Sequence, residues 1–195
     1  MVINGLKLLD RVNMELKLRE ITMEHHKSAE RSNFAKKLVS GKVSAAEYAL
    51  YLYNMRIVYS CLETCAMKLK VLDGIENIRR TGHIKSDLRR WGIRNLDILD
   101  SVIEYNDYLA GITDPEKILA HVYVRHMGDL SGGQIIANRL KDRFPTRFYK
   151  FAEDPEVLKD KLREKLNNDM ADEAMVAFDY AHKIFLELDA RDDLG

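Results

Sequence analysis

Apolar residues recur along the chain at intervals of three and four, the spacing that gathers them on one face of a helix, and no alternating stretch is long enough to read as a strand. Leu6, Leu9, Val12 and Leu16 begin such a face, which predicts a helix from about Leu6 to Ser32, and Gly41 ends a short second piece. Ser44-Ala-Ala-Glu47 has the form of a capping box, in which the serine oxygen and the glutamate carboxylate each satisfy an amide that the first turn leaves unpaired. It opens a long helix predicted to end near Gly74. Further helices are predicted from Ser86 to Trp91 and from Leu96 to Leu109, the latter turning Leu96, Leu99, Val102 and Ile103 inward and stopping at Gly111. Asp114-Pro115-Glu116 and Asp154-Pro155-Glu156 each set a capping carboxylate before a proline at the first helical position, where the missing N–H costs nothing. The first of these leads into a helical pattern over Ile118–Leu140, and the last helix spans about Asp172 to Leu188. The fold class is therefore all-α.

A chain of 195 residues, 46 % of them hydrophobic, buries its own core without disulfides, and a single domain over residues 1–195 accounts for it, with no repeat or low-complexity linker. Its 31 basic and 31 acidic side chains cancel, which argues against a dedicated nucleic-acid or polybasic membrane binder. No apolar run approaches the roughly 20 residues needed to cross a bilayer. The opening Met-Val-Ile-Asn-Gly-Leu-Lys7 lacks the basic-then-apolar form of a signal peptide, so a cytoplasmic location is expected. Cys61 and Cys65, one helical turn apart, are the only cysteines and read as reduced thiols.

The pattern is broken by Arg125-His-Met-Gly-Asp-Leu-Ser-Gly-Gly-Gln134. Glycines at 128, 132 and 133 cost a helix about 3 kcal/mol against alanine, at about 1 kcal/mol each, so something must offset them. Gly128 and Gly132 share a face, against which either a second helix packs closely or a flat ligand lies. No Gly-Lys-Ser/Thr follows, which removes a phosphate loop. The six histidines, at 25, 26, 83, 121, 126 and 182, show neither His-Glu-x-x-His nor Glu-x-x-His spacing, so the signatures of hydrolytic zinc and of a carboxylate-bridged di-iron centre are missing. Haem needs only one histidine. Either His25 or His26 could ligate its iron, and because neighbours on a helix point about 100° apart, only one can face a given pocket. His26 has Glu30 one turn later, a carboxylate able to take the second ring nitrogen.

These residues resemble the haem oxygenase family. Gly128-Asp-Leu-Ser-Gly-Gly-Gln134 is similar to its distal-helix motif and Thr22-Met-Glu-His-His-Lys-Ser-Ala-Glu30 to its proximal segment, and the likeness extends from about Leu16 to Leu188. It implies a single-domain helical bundle with haem sandwiched between a proximal helix and a kinked distal one, His26 as the axial iron ligand and Glu30 behind it. It assigns Tyr59, Arg125 and Asp129 to the polar cluster that orders water beyond the iron, and Tyr123, Gly128, Ser131, Gly132 and Gly133 to the haem face. Arg19, Lys159 and Arg163 match basic positions that bind the propionates, and Phe185 an aromatic position at the haem edge. The chain departs from the family pattern at Met23, where some relatives carry a lysine, at His126, where an aromatic or aliphatic residue is commoner, and at Ala181, which replaces an asparagine. The connector from Asn167 to Asp172 is also short.

The activity so implied is oxidative opening of haem to biliverdin, the alpha isomer being expected, with release of carbon monoxide and ferrous iron. Haem is then both cofactor and substrate, O2 is the co-substrate, and the electrons come from a donor protein. Lys141, Arg143, Arg147 and Lys150, joined by Lys36 and Lys37, form a basic stretch that suits an acidic donor such as a ferredoxin. The absence of a C-terminal anchor in this sequence favours a soluble donor, and a monomer is expected. Two other classes stand beside this reading. A non-catalytic haem carrier would keep His26 and the basic clamp without needing Asp129 or the glycine face, and a helical interaction module would need none of them.

Overall fold

A computed structural model describes residue 13 and residues 17–192, which leaves Leu6, Leu9, Val12 and Leu16 outside the described residues. Among the described residues every regular element is helical. In chain order these are α1 (Met23–Arg31), α2 (Asn33–Ser40), α3 (Ala45–Lys68), α4 (Thr81–Trp91), α5 (Asp100–Gly111), α6 (Pro115–Leu140), α7 (Pro155–Arg163) and α8 (Ala171–Asp192). Short 3-10 turns occupy Glu76–Ile78, Arg147–Tyr149 and Asn168–Met170. Residues 17–20 are helical as well and lead into α1 through Thr22, whose amide and hydroxyl both donate to the Leu18 carbonyl oxygen, at 3.0 and 2.9 Å.

Where a helix is capped by its own sequence, its start falls where the sequence puts it. The Glu47 amide donates to Ser44 Oγ at 3.2 Å while the Ser44 amide donates to the Glu47 carboxylate at 2.6 Å, and Asp114 and Asp154 accept from the amides of Glu116 and Glu156 at 2.9 and 2.8 Å. The α3 helix ends at Lys68, short of the predicted Gly74, because Lys70 takes a left-handed φ of 59° and turns the chain away. The α4 helix starts at Thr81, more than a turn before the predicted Ser86, because its first amides are capped from another element: the Arg80 and Thr81 N–H groups donate to the Glu63 carboxylate of α3. In the same way Glu187 of α8 accepts the Asp100 and Ser101 amides at 3.0 and 2.9 Å, so α5 begins at Asp100 rather than Leu96. Leu99 and Val102 are buried as expected, whereas Leu96 and Ile103 are 37 % and 49 % exposed and leave the predicted inward face.

The architecture rests on two long helices. The middle of α3, from Tyr48 to Ala66, runs through the core and packs on α4, α5 and α6, while α8 is the floor on which α1, α2, α5 and α6 all lie. Arg80, only 1 % exposed, ties the Arg147–Tyr149 turn to the start of α4 by donating to the carbonyls of Asn77, Ile78, Phe148 and Lys150. A second buried knot joins α5, α6 and α8: the Tyr105 hydroxyl is 2.8 Å from His121 Nδ1, His121 Nε2 is 2.9 Å from the Glu173 carboxylate, and the Tyr108 hydroxyl donates to Glu173 at 2.6 Å. Cys61 and Cys65 are free, half-buried thiols that donate to carbonyls of α5.

Candidate functional site

The α1 and α6 helices both pack on α8 and make at most marginal contact with each other, which makes them the two walls of a candidate cleft. On the α1 wall His25 and His26 are already divided in use. His25 Nδ1 is held 2.6 Å from Asp179 of α8, whereas His26 Nδ1 faces Glu30 at 3.5 Å and its ring stands edge-on to Phe178 at 5.3 Å. Among the described residues His26 Nε2 has no hydrogen-bond partner, and the side chain is 34 % exposed. On the opposite wall α6 is buried without a break from Ile118 to Met127 and then opens at Gly128, Ser131 and Gly132. Among the described residues, a Cβ added at Gly128 or at Gly132 would meet nothing within 4 Å, so these glycines face open space rather than a neighbouring described helix. Of the two explanations for the glycine run, close helix packing is thereby removed at these two positions.

Beside the open face lies a buried polar pair. The Tyr59 hydroxyl of α3 donates to Asp129 Oδ2 at 2.5 Å, and both residues are more than nine-tenths buried. Burial lifts the Asp129 carboxyl to about 6, against the pull of His126, the Tyr59 bond, Arg80 and Arg125, while burial and the Asp129 charge push the Tyr59 phenol well above its ordinary range. Arg125 does not bond to Asp129. Its guanidinium lies over the Tyr105 ring at 5.2 Å, and Nε and Nη2 are buried without a hydrogen-bond partner. Gln134 ties the helix beyond the open face: its Nε2 donates to the carbonyl oxygens of Asp129 and Tyr149 at 3.0 and 2.9 Å.

A family model described as "Heme oxygenase" matches residues 12–186. The chain belongs to the haem oxygenase family. It is 32 % identical to heme oxygenase 1 of the cyanobacterium Synechocystis sp., over 91 % of this chain and 85 % of that protein, and 30 % identical to the heme oxygenase of Porphyra purpurea, over 89 % and 85 %. The crystal structure of the Synechocystis heme oxygenase-1 in complex with heme superposes with a TM-score of 0.80 at 29 % identity, covering 92 % of this chain and 93 % of that one. Heme oxygenase from Leptospira interrogans gives a TM-score of 0.77 at 26 % identity, over 88 % and 98 %. The all-α fold is that of the family, and among the described residues no helix is long and apolar enough to cross a membrane.

The cleft has the features haem requires of a family member. The free Nε2 of His26 suits iron, the flat open face of Gly128 and Gly132 suits a planar macrocycle, and the orphaned guanidinium atoms of Arg125 leave donors to be satisfied. The other assigned residues are placed in several ways. The side of Gly133 that a Cβ would occupy is filled by Tyr149, whose Cδ1 would lie 2.7 Å away, so this glycine is needed for packing rather than for the cleft face. Tyr123 is buried, Ser131 exposed, and Arg19 exposed on the helical stretch ahead of Thr22. Lys159 and Arg163 on α7 are each paired locally, with Glu156 at 2.8 Å and Asp160 at 2.6 Å, so an anionic ligand would compete with those carboxylates. Phe185 packs on Phe34 and Tyr51, at 5.7 and 6.4 Å, and it is Phe178, one heptad earlier on α8, that touches His26. Sequence reasoning missed Phe178, although the seven-residue spacing to Phe185 places both on one helix face.

Proposed function

We propose that this chain is a haem oxygenase that opens haem to biliverdin, the alpha isomer, with release of carbon monoxide and ferrous iron. The observation that carries the proposal is the cleft itself, with a histidine whose Nε2 is free on one wall and a glycine face backed by the Tyr59–Asp129 pair on the other. His26 is the residue to hold the iron, and Glu30 at 3.5 Å from Nδ1 fixes the tautomer that turns Nε2 into the cleft. Arg19, Lys159 and Arg163 are the basic groups for the propionates. Bound haem would supply the redox chemistry, its iron activating O2 and its own ring being oxidised.

The chain's own part is to position and to manage protons. Gly128 and Gly132 offer backbone in place of side chains, so nothing bulky stands between the helix and a planar ligand. Tyr59 holds Oδ2 of Asp129, and among the described residues Oδ1 has no protein hydrogen bond, which leaves it available to order water. A carboxyl lifted to about 6 exchanges a proton readily near neutral pH. A haem carrier would need His26 but not this pair. The deciding experiment is to add hemin to the purified protein, record the spectrum, then supply a reductant in air. We expect binding followed by biliverdin in the wild type, a lost imidazole-type carbon monoxide adduct in His26→Ala but not in His25→Ala, and binding with little biliverdin in Asp129→Ala. Wild-type rates from Asp129→Ala would refute its role.

We infer further that an acidic soluble donor, such as a ferredoxin, docks on the basic stretch. Part of that stretch is committed internally: Arg143 donates to the Gly41 and Val43 carbonyls, Arg147 to Ser86 Oγ at 3.1 Å, and Lys37 pairs with Glu47 at 2.8 Å. Lys36, Lys141 and Lys150 are the exposed cations available to a partner. Ferredoxin-driven turnover should therefore fall steeply with salt, since exposed charges are screened beyond about 10 Å at 0.1 M, whereas ascorbate-driven turnover should not. Equal salt sensitivity would dismiss the patch. The exposed apolar side chains, among them Ile21, Ile103, Ile135 and Leu186, lie on separate elements, in keeping with a monomer.

A further inference from the structure

One buried pair next to Asp129 is not used by this account. His126 of α6 is 0 % exposed and therefore lies off the open face formed by Gly128, Ser131 and Gly132. Its Nδ1 is 3.1 Å from the carbonyl oxygen of Val122, which can only accept, so Nδ1 carries a proton. Nε2 points to Glu63 Oε1 of α3 at 3.6 Å, beyond hydrogen-bonding distance, and has no other partner. Glu63 accepts the amides of Arg80 and Thr81, and these bonds favour its ionised form against the cost of burial. A carboxylate facing a bare ring lone pair would repel it, whereas a second ring proton makes the contact an ion pair.

The His126 ring stands against the same tyrosine that holds Asp129. The Tyr59 ring meets the His126 ring edge-on at 5.3 Å, and the hydroxyl of the same tyrosine is the donor to Asp129. Asp129 also follows His126 by one turn on α6. We propose that His126 is a positioning residue for Asp129: as the buried cation of the His126–Glu63 pair, it fixes the charge that Asp129 carries when haem is turned over. The other groups facing Asp129 are the arginines Arg80 and Arg125 and the buried phenols of Tyr51, Tyr59 and Tyr149. Arginine does not give up its proton in a protein, so Arg80 and Arg125 are fixed charges. Glu63 also lines a cavity of about 530 Å³ with Glu76, Arg79, His83 and Lys85.

The proposal rests on the role given to Asp129 above, and its test separates the two. The Asp129 carboxyl is titrated by carbon NMR in the haem-free protein for the wild type, His126→Phe and His126→Gln, the last keeping a donor for the Val122 carbonyl should the phenylalanine variant fail to fold. The midpoint is expected to rise by about one unit in both variants, a tenfold gain in proton affinity. Glu63→Gln should act in the same direction, with the second ring proton of His126 lost in nitrogen NMR. The acid limb of the turnover profile should then move by the same amount while haem affinity holds. An unmoved Asp129 midpoint in folded His126→Gln overturns the proposal. A moved midpoint with an unmoved turnover profile upholds the His126 cation and overturns the role of Asp129.

Discussion

Asp129 binds its proton more tightly in the fold than in the unfolded chain, its carboxyl rising from 3.8 to about 6 through burial. Between these values the native state holds a proton that the unfolded state has released, so stability falls as pH rises through that interval and stays lower above it. Asp129→Asn removes this penalty. In urea unfolding of the haem-free protein the variant should match the wild type near pH 4 and exceed it by about 1–3 kcal/mol at pH 8, while making little biliverdin. A constant difference across that range would show that the carboxyl is not perturbed by its site. The partner of Asp129 was legible only through the family resemblance, because Tyr59 lies 70 positions away and no local spacing joins the two. The spacing of His26 and Glu30, one turn apart, was legible directly, while the choice of His26 over His25 came from the family resemblance; in the structure Asp179 holds the His25 ring and Phe178 flanks that of His26.

Within α6 the three glycines separate into two kinds. Gly128→Ala and Gly132→Ala place a methyl in open space, so the haem-free protein should gain up to about 1 kcal/mol from helix propensity while hemin affinity drops. Gly133→Ala drives its methyl to 2.7 Å from a ring carbon of Tyr149, a fully buried aromatic that cannot retreat, and should cost about 1–3 kcal/mol. Thermal unfolding of the three variants, with and without hemin, tests the division; a destabilised Gly128→Ala would mean that the open face is filled in solution. The sequence could announce that the run was costly but not which glycine serves which purpose. Helix boundaries follow the same logic. Ser44, Asp114 and Asp154 cap their own helices and were readable, whereas α4 and α5 are capped by Glu63 and Glu187 from across the fold, and their starts were misplaced by several residues.

At the scale of the molecule, both walls of the cleft stand on α8 and scarcely touch each other. Haem bound as proposed would complete there the packing that other helix pairs achieve by themselves. The two walls are not equally secured. The α6 helix is buried along most of its length and tethered through Gln134, whereas α1 is a nine-residue helix with Ala29 as its buried residue. Amide hydrogen exchange should register this inequality: on hemin loading, the amides of Met23–Arg31 should slow by more than tenfold, while those of α8 change little. Equal slowing in both would show the walls to open and close as one body. Ligand at a hundred times its dissociation constant adds about 2.7 kcal/mol to the folded state, and most of that gain would accrue to the single helix that carries His26. Haem bound as proposed would be the last piece of the interior to be laid down, and its degradation would release α1 again.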